Sequence, residues 1–279
     1  SIRLYGSFRN GTPTQARDPI ITSDLTTIPS TFRQRGIATA VFKCHYGADQ
    51  DEYVRLWGNV QIPNFLMDVR GCKIYDPRDP TQIMFSDPND KAEVDAAMAT
   101  WKWSNTASLV QADYLIQPYG GRQNPGRIRW DKIAEAADYD ETLVGLKGGG
   151  FQKRYTIDGM ITKNQTRVDM LGAMLTANRG FVTQSDGRIW ITSAKPRTPL
   201  MTVYDSMLGA GFQYRDAAPK KSLINKVRIR FVAPDREYQT IDGPIRIDSA
   251  FTAADGETLE QTIELPFTDD NRKAQRLGK

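Results

Sequence analysis

Thr166-Arg-Val-Asp-Met-Leu-Gly-Ala-Met-Leu-Thr-Ala-Asn-Arg-Gly-Phe-Val-Thr-Gln-Ser-Asp-Gly-Arg-Ile-Trp-Ile-Thr192 places a helix and a hairpin back to back. Thr166 is a helix cap with Asp169 three residues on, in a capping-box-like position. Val168, Leu171, Met174 and Leu175 form the predicted apolar face. Gly180 stands where a helix end favours a left-handed residue. The hairpin follows at once: Phe181–Gln184, a turn at Ser185-Asp-Gly187, then Arg188–Ser193. Asp186-Gly187 supplies the positive φ that a tight turn needs. One stretch thus predicts both kinds of element, with short connections, and sets the class as α+β.

Working outward, the same signals recur. Asp131–Tyr139 reads as a helix with Ile133, Ala134 and Ala137 inward. Asn105 is the predicted cap of a helix running to about Ile116, with Leu109, Ala112 and Leu115/Ile116 on its buried face. Pro118 and Gly120-Gly121 end it. Lys226-Val-Arg-Ile-Arg-Phe-Val232 alternates basic and apolar residues, so it predicts a strand with one wet face, in a longer hairpin. Asp242-Gly-Pro and Asp255-Gly are further turns. Phe267–Lys279 starts like a capped helix and stops abruptly, as a cut helix would.

Towards the N-terminus the pattern is β-rich. Ala38–Tyr46, Tyr53–Trp57 and Phe65–Tyr75 are predicted strands, β-branched and aromatic and bounded by Gly, Asp and Pro. Residues 1–35 are sparse in apolar side chains and read as extended segments and loops. Asp76-Pro77, Asp79-Pro80 and Asp87-Pro88 are turn dipeptides in quick succession. The expected organisation is a mostly β region at 1–75 with an extended N-terminal arm, a proline-rich connection at 76–92, and a mixed α+β region at 93–279. Three or four short helices are expected in all, with β-barrel or sheet domains.

The 279 residues carry 37 Lys+Arg against 33 Asp+Glu, a net charge of +4, and 39% hydrophobic residues. This is globular composition, long enough for one or two domains. No run of five like charges marks a nucleic-acid arm. No stretch reaches the roughly 18 apolar residues of a membrane helix, and the N-terminus lacks a signal-peptide core. The 2 cysteines, Cys44 and Cys72, are too few for a disulfide scaffold. They form either one bridge or two core thiols, the latter being expected. The single histidine, His45, removes multi-His metal sites.

Candidate chemistry is thin. Gly148-Gly-Gly150 lacks the strand before it and the Lys-Ser/Thr after it that a phosphate loop requires, so it reads as a turn. Cys44 and His45 are adjacent on a predicted strand and point to opposite faces. Carboxylates gather at Asp138, Asp140 and Glu141, and at Asp87, Asp90, Glu93 and Asp95. A glycosidase needs two of them across a cleft, but helix ends and loop turns use the same residues. Asp269 and Asp270 suit a helix N-terminus or a cation. Trp101-Lys-Trp103-Ser-Asn105 reads as a stacking platform or, the favoured reading, as an anchor with Trp103 buried. Lys226, Arg228 and Arg230 could meet phosphates, but a solvated or docking strand face is favoured. No catalytic, cofactor-binding or metal-ligating residue is assigned.

A set of ordered segments goes further. Gly58-Asn-Val-Gln-Ile-Pro63 precedes Arg70-Gly-Cys-Lys-Ile-Tyr-Asp-Pro-Arg78. Trp103-Ser-Asn-Thr-Ala107 leads to Tyr119-Gly-Gly-Arg122. Tyr139-Asp-Glu141, Arg154-Tyr-Thr-Ile-Asp-Gly159, Arg179-Gly180, Gly187-Arg-Ile-Trp-Ile191, Asn225-Lys-Val and Asp270-Asn-Arg-Lys-Ala-Gln-Arg276 follow in order. Over roughly residues 36–279 this set resembles the tail-tip attachment protein, or central baseplate hub, of lambda-like siphophages. The resemblance implies a structural, non-enzymatic homotrimer at the distal end of the virion tail, assembled in the host cytoplasm. It would close the tail tube, meet the tape-measure protein, the distal tail protein and other tail-tip proteins, and open for DNA ejection after host contact. Phage DNA would pass without specific binding, and no cofactor is implied. Receptor contact would fall to a distal region that this chain lacks. The alternatives are a tail-associated cell-wall or polysaccharide hydrolase, or a carbohydrate-binding adhesin.

Overall fold

A computed structural model describes all residues except 1–3, 13, 26, 46, 59–64, 66, 163, 208, 210–222 and 279. Most of the Gly58–Pro63 segment and the last residue of the expected 38–46 strand lie outside the described residues. The chain forms two compact units, Ser1–Val69 and Arg70–Lys279.

In the first unit, β1 (Leu4–Asn10) pairs antiparallel with β2 (Ala38–Cys44), from Leu4 opposite Cys44 to Asn10 opposite Ala38. Phe42 meets Phe8 edge-on at 5.8 Å and stacks on Phe65 at 4.1 Å. The described residues before position 36 include a helix that the sequence did not predict, α1 (Pro19–Asp24), capped by Asp18, whose carboxylate accepts from Ile20 and Ile21 N–H. The buried Gln15 amide donates to the Arg33 and Gln34 carbonyls and accepts from Gly11 N–H. Polar ties therefore hold this segment where apolar side chains are few.

The expected strand at Tyr53–Trp57 is instead a helix, α2 (Gln50–Trp57). Asp49 accepts from Glu52 N–H, and Glu52 reaches back to Ala48 N–H at 2.9 Å. That reciprocal capping outweighs the β propensity of Tyr53, Val54 and Trp57. Of the expected strand at 65–75, only Lys73–Ile74 pairs among the described residues, as β3.

The second unit is built around α4 (Ala107–Ile116), which is buried on nearly every side. Around it lie α3 (Lys91–Thr100), β4 (Lys102–Trp103), α5 (Trp130–Asp140), β5 (Leu143–Gly145), β6 (Phe151–Lys153), α6 (Arg167–Leu175), β7 (Phe181–Ser185) and β8 (Arg188–Thr192). Leu109, Ile116, Ile133, Trp101, Phe85 and Ile191 make the main core. Each such side chain stabilises by about 1.5–3 kcal/mol relative to exposure. The expected hairpin is present as β7–β8, with Asp186 at φ 52° and Gly187 at φ 71°. The proline-rich stretch 76–92 lies inside this unit and sends Phe85 into its core.

The remaining elements are β9 (Lys226–Ala233), β10 (Gln239–Asp242), β11 (Arg246–Ile247), α7 (Ser249–Asp255), β12 (Glu260–Leu265) and α8 (Asn271–Leu277). β9 is central: β10 and β11 pair with it antiparallel, and β12 parallel. Ile229, Phe231 and Ala233 face a core shared with Leu265, Ala274 and Leu277. The basic face of β9 is laced with ion pairs: Arg228 to Glu260 at 2.7 Å, Arg230 to Glu264 at 2.8 Å, Lys226 to Glu260 at 2.6 Å.

The architecture is mixed α and β, but two parts of the expectation fail. Eight helices are present among the described residues rather than three or four, and the helices hold more residues than the strands. Among the described residues the sheets are small, four of them two-stranded and one four-stranded, and none closes into a barrel.

Three side-chain placements also differ. Val168 is 79% exposed and Met170 takes its place inside, because the buried stripe of α6 runs through Met170 and Met174. The left-handed residue after this helix is Arg179, at φ 51°, not Gly180. Asn105 does not cap α4: Thr106 is the boundary residue, and the Asn105 amide donates to Asp158 at 3.4 Å.

Candidate functional site

Segments distant in sequence converge on one polar cavity of about 230 Å³ in the second unit. The turn after β3 supplies Asp76, Asp79 and Gln82. β4 supplies Lys102 and Trp103, and the strand-to-helix link supplies Ser104 and Asn105. Glu141 follows α5, and Lys153 ends β6.

The charges in this wall are paired. Arg78 forks onto Asp76 through Nε at 2.9 Å and Nη2 at 2.7 Å, and its Nη1 reaches Asp138 and Glu141, each at 2.9 Å. Asp76 first, then Glu141 and Asp138, hold this guanidinium above the usual arginine range. Lys153 donates to Glu141 at 2.8 Å, and the Thr106 hydroxyl donates to it at 2.7 Å. Burial alone would raise Glu141, but Lys153, Arg78 and Thr106 bring it down to about 2. Asp79 accepts from Lys102 at 2.7 Å and from the Thr81 N–H and hydroxyl. Lys102 first, then Thr81, holds Asp79 well below the carboxylate range.

The two tryptophans of the 101–105 segment have opposite fates. Trp101 is 1% exposed, packs near Phe85 and Tyr75, and donates from its indole N–H to the Ile83 carbonyl at 2.8 Å. Trp103, expected to be buried, is 45% exposed, lines the cavity and carries the Arg70 guanidinium over its ring at 5.5 Å. The chain ends α3 at Trp101 and turns into the short β3–β4 ribbon, so Trp103 projects from the ribbon and not into the core.

Behind the wall lies a buried polar chain. Asp140 accepts from Ser108 N–H at 2.8 Å and from the Ser193 hydroxyl at 2.6 Å. Asn178 donates to Ser193, and Gln111 donates to Asn178 and to the Met174 carbonyl. Burial pushes Asp140 up to about 6 against the pull of Ser193 and Ser108. Asp113, also buried, is pushed to about 6 against Gln117 and Tyr119. Neither carboxylate lines the cavity.

The other candidates resolve into local structure. Gly148–Gly150 turn between β5 and β6, with Leu146 N–H donating to the Gly150 carbonyl. Asp90 caps α3, Glu93 accepts from Ser86 and Asp87 N–H, and Asp95 pairs with Lys91. Asp270 caps α8, and Asp269 pairs with Lys273, which also donates to the Thr156 hydroxyl. Cys44 and Cys72 are both free, but neither is the expected core thiol: Cys44 is partly buried and Cys72 is exposed. Among the described residues no group of three or more His, Cys, Asp and Glu could hold a metal, and no helix is long and apolar enough to cross a membrane.

The cavity escaped sequence reading because its residues span positions 76 to 153 with no shared period. Its local signals are the Trp101–Asn105 segment, which brings Lys102, Trp103, Ser104 and Asn105, and Glu141 in the carboxylate cluster at the end of α5; nothing local links the two. No protein-family model matches this chain, and no curated protein matches it.

Proposed function

We propose that this chain is a structural component of a tailed-phage tail tip, the central hub, working as a trimer around the tail axis in the virion. It closes the tail tube, joins the tape-measure, distal tail and other tail-tip proteins, and opens to let DNA pass after host contact. The opening is a switch between two packings of one assembly. The reading begins from the segments between Gly58 and Arg276 that, in their order, resemble such hubs.

The observation that carries it furthest is the amount of large apolar surface left in solvent. In the first unit Leu4, Tyr5, Phe8, Phe32, Ile37 and Val69 are exposed, and Ile21 is its one buried apolar side chain among the described residues. In the second, Leu200 is 101% exposed, with Met201, Val203, Tyr204 and Met207 beside it. Large apolar side chains exposed in such number are what an assembly would cover, and a closed ring needs two different contact surfaces on every protomer.

A hydrolase is the weaker reading on a specific ground. A glycosidase needs one carboxyl with a raised pKa as its acid. The two cavity carboxylates with shifted values, Asp79 and Glu141, are both held down, and the raised Asp140 and Asp113 lie outside the cavity. The test is electron microscopy of isolated tails together with sedimentation of the purified chain. A trimer and three-fold density at the tip are expected; a compact monomer and six-fold density would sink the proposal.

A further inference from the structure

We propose that the cavity at Trp103 is a binding site for a single neutral sugar ring, such as the terminal hexose or hexosamine of a surface glycan. This inference is independent of the tail-tip reading.

Charge argues first. The wall sets the carboxylates of Asp76, Asp79 and Glu141 against the ammonium groups of Lys102 and Lys153. A phosphate or other anion would meet three carboxylates, and a metal cation would meet two ammonium groups. The ions already satisfy one another, Asp79 with Lys102 at 2.7 Å, Glu141 with Lys153 at 2.8 Å and with Arg78, and Asp76 with Arg78, so neither kind of ion gains by entering. A neutral ligand avoids both penalties.

Hydrogen-bond capacity argues second. An ammonium has three donors and a carboxylate about four acceptor positions. Lys153 spends a donor on Glu141, and Lys102 spends its donors on Asp79 and Thr81, which leaves N–H groups over. Glu141 accepts from Lys153, Thr106 and Arg78, and keeps one position open. The Asn105 side chain donates to Asp158, and its carbonyl remains as an acceptor. Donors and acceptors thus alternate around one small space. Adjacent hydroxyls of a pyranose, each able to donate and accept, match that alternation.

Shape argues third. Trp103 gives an exposed aromatic wall, the apolar surface that the C–H face of a sugar ring packs on. The cavity, about 230 Å³, lies below the roughly 300–1,000 Å³ of drug-sized sites. That limits the occupant to about one ring. The polar side chains are held before any ligand arrives: Glu141 by Arg78 and Thr106, Asp79 by Thr81. Little ordering remains to be done on binding.

The test is saturation-transfer NMR on the full chain with methyl glucoside, methyl galactoside and methyl N-acetylglucosaminide, each probed with and without inorganic phosphate. At least one glycoside should receive saturation, undiminished by phosphate. Trp103→Ala should weaken that binding about tenfold, and Trp103→Phe should restore part of it. Phe251→Ala, an exposed aromatic outside the cavity, should leave it unchanged. Cooperative thermal unfolding well above the temperature of the binding measurement, in all three variants, keeps folding out of the comparison. The proposal is overturned if no glycoside is saturated, if phosphate displaces it, or if Trp103→Ala binds as the parent does.

Discussion

Two indoles two residues apart show how burial, not residue type, sets the consequence of a change. Trp101 lies in the core with its N–H satisfied, so Trp101→Ala should cost roughly 3–5 kcal/mol in urea unfolding. Trp103→Ala should cost about 1 kcal/mol or less, chiefly the Arg70 contact. Asp113 gives a pH signature. Its folded pKa is about 6, above the 3.8 of a free aspartate. Between those values the folded state holds a proton that the unfolded state has released. Stability from this group is therefore lost as pH rises through about 6, by up to about 3 kcal/mol. Asp113→Asn, which keeps a partner for Tyr119 and Gln117, should remove about half of the fall in urea midpoint between pH 4 and 7, Asp140 supplying the rest. An unchanged slope would place the titration elsewhere. Glu141 works in the opposite sense: its pKa is lowered to about 2, so its contribution is lost as pH falls through that range.

At the scale of elements, α3 depends on Asp90, whose carboxylate accepts from Ala92 and Glu93 N–H. Asp90→Ala should lower stability by about 1 kcal/mol, read from the denaturation midpoint. The turn after α4 is stricter. A Cβ on Gly120 would lie 1.9 Å from the Tyr114 carbonyl oxygen, so the backbone must move. Gly120→Ala should cost at least about 1–3 kcal/mol by the same measure. The elements that were legible carry their own signals: Thr166 capping α6, the Asp186-Gly187 turn, the alternation along β9, Asp270 ahead of α8. α3 was missed because its small residues bury only Ala97 and leave no stripe. The cap of α4 was misassigned for a different reason. Its Ser108 N–H is satisfied by Asp140, and the Thr106 hydroxyl is drawn to Glu141. Both partners sit more than thirty residues downstream, beyond any local pattern. The cavity was illegible on the same ground, since Asp79, Lys102, Glu141 and Lys153 meet only through tertiary packing.

At the scale of the whole chain, the two units differ in what holds them. Arg70–Lys279 has three apolar clusters, whereas Ser1–Val69 has Ile21 as its one buried apolar side chain among the described residues. A chain of that length buries too little to be stable on such a core. A fragment of residues 70–279 should unfold in one cooperative transition, and a fragment of residues 1–69 should show none, by far-UV circular dichroism in urea. A sharp transition in the short fragment would refute this.

The free cysteines have a practical consequence. Cys44 belongs to one unit and Cys72 to the other, and the chain has no third thiol. A pair of nitroxide labels can therefore be attached without engineering. Cys72 is exposed as a residue, but desolvation and then the charge of Asp113 raise its thiol above the usual range, which slows its reaction near neutral pH. Mild alkaline labelling compensates for that. Pulsed dipolar spectroscopy on the doubly labelled chain then yields a single distance distribution. Its width, free and within an assembly, is a direct gauge of how firmly partners clamp the two halves of the chain.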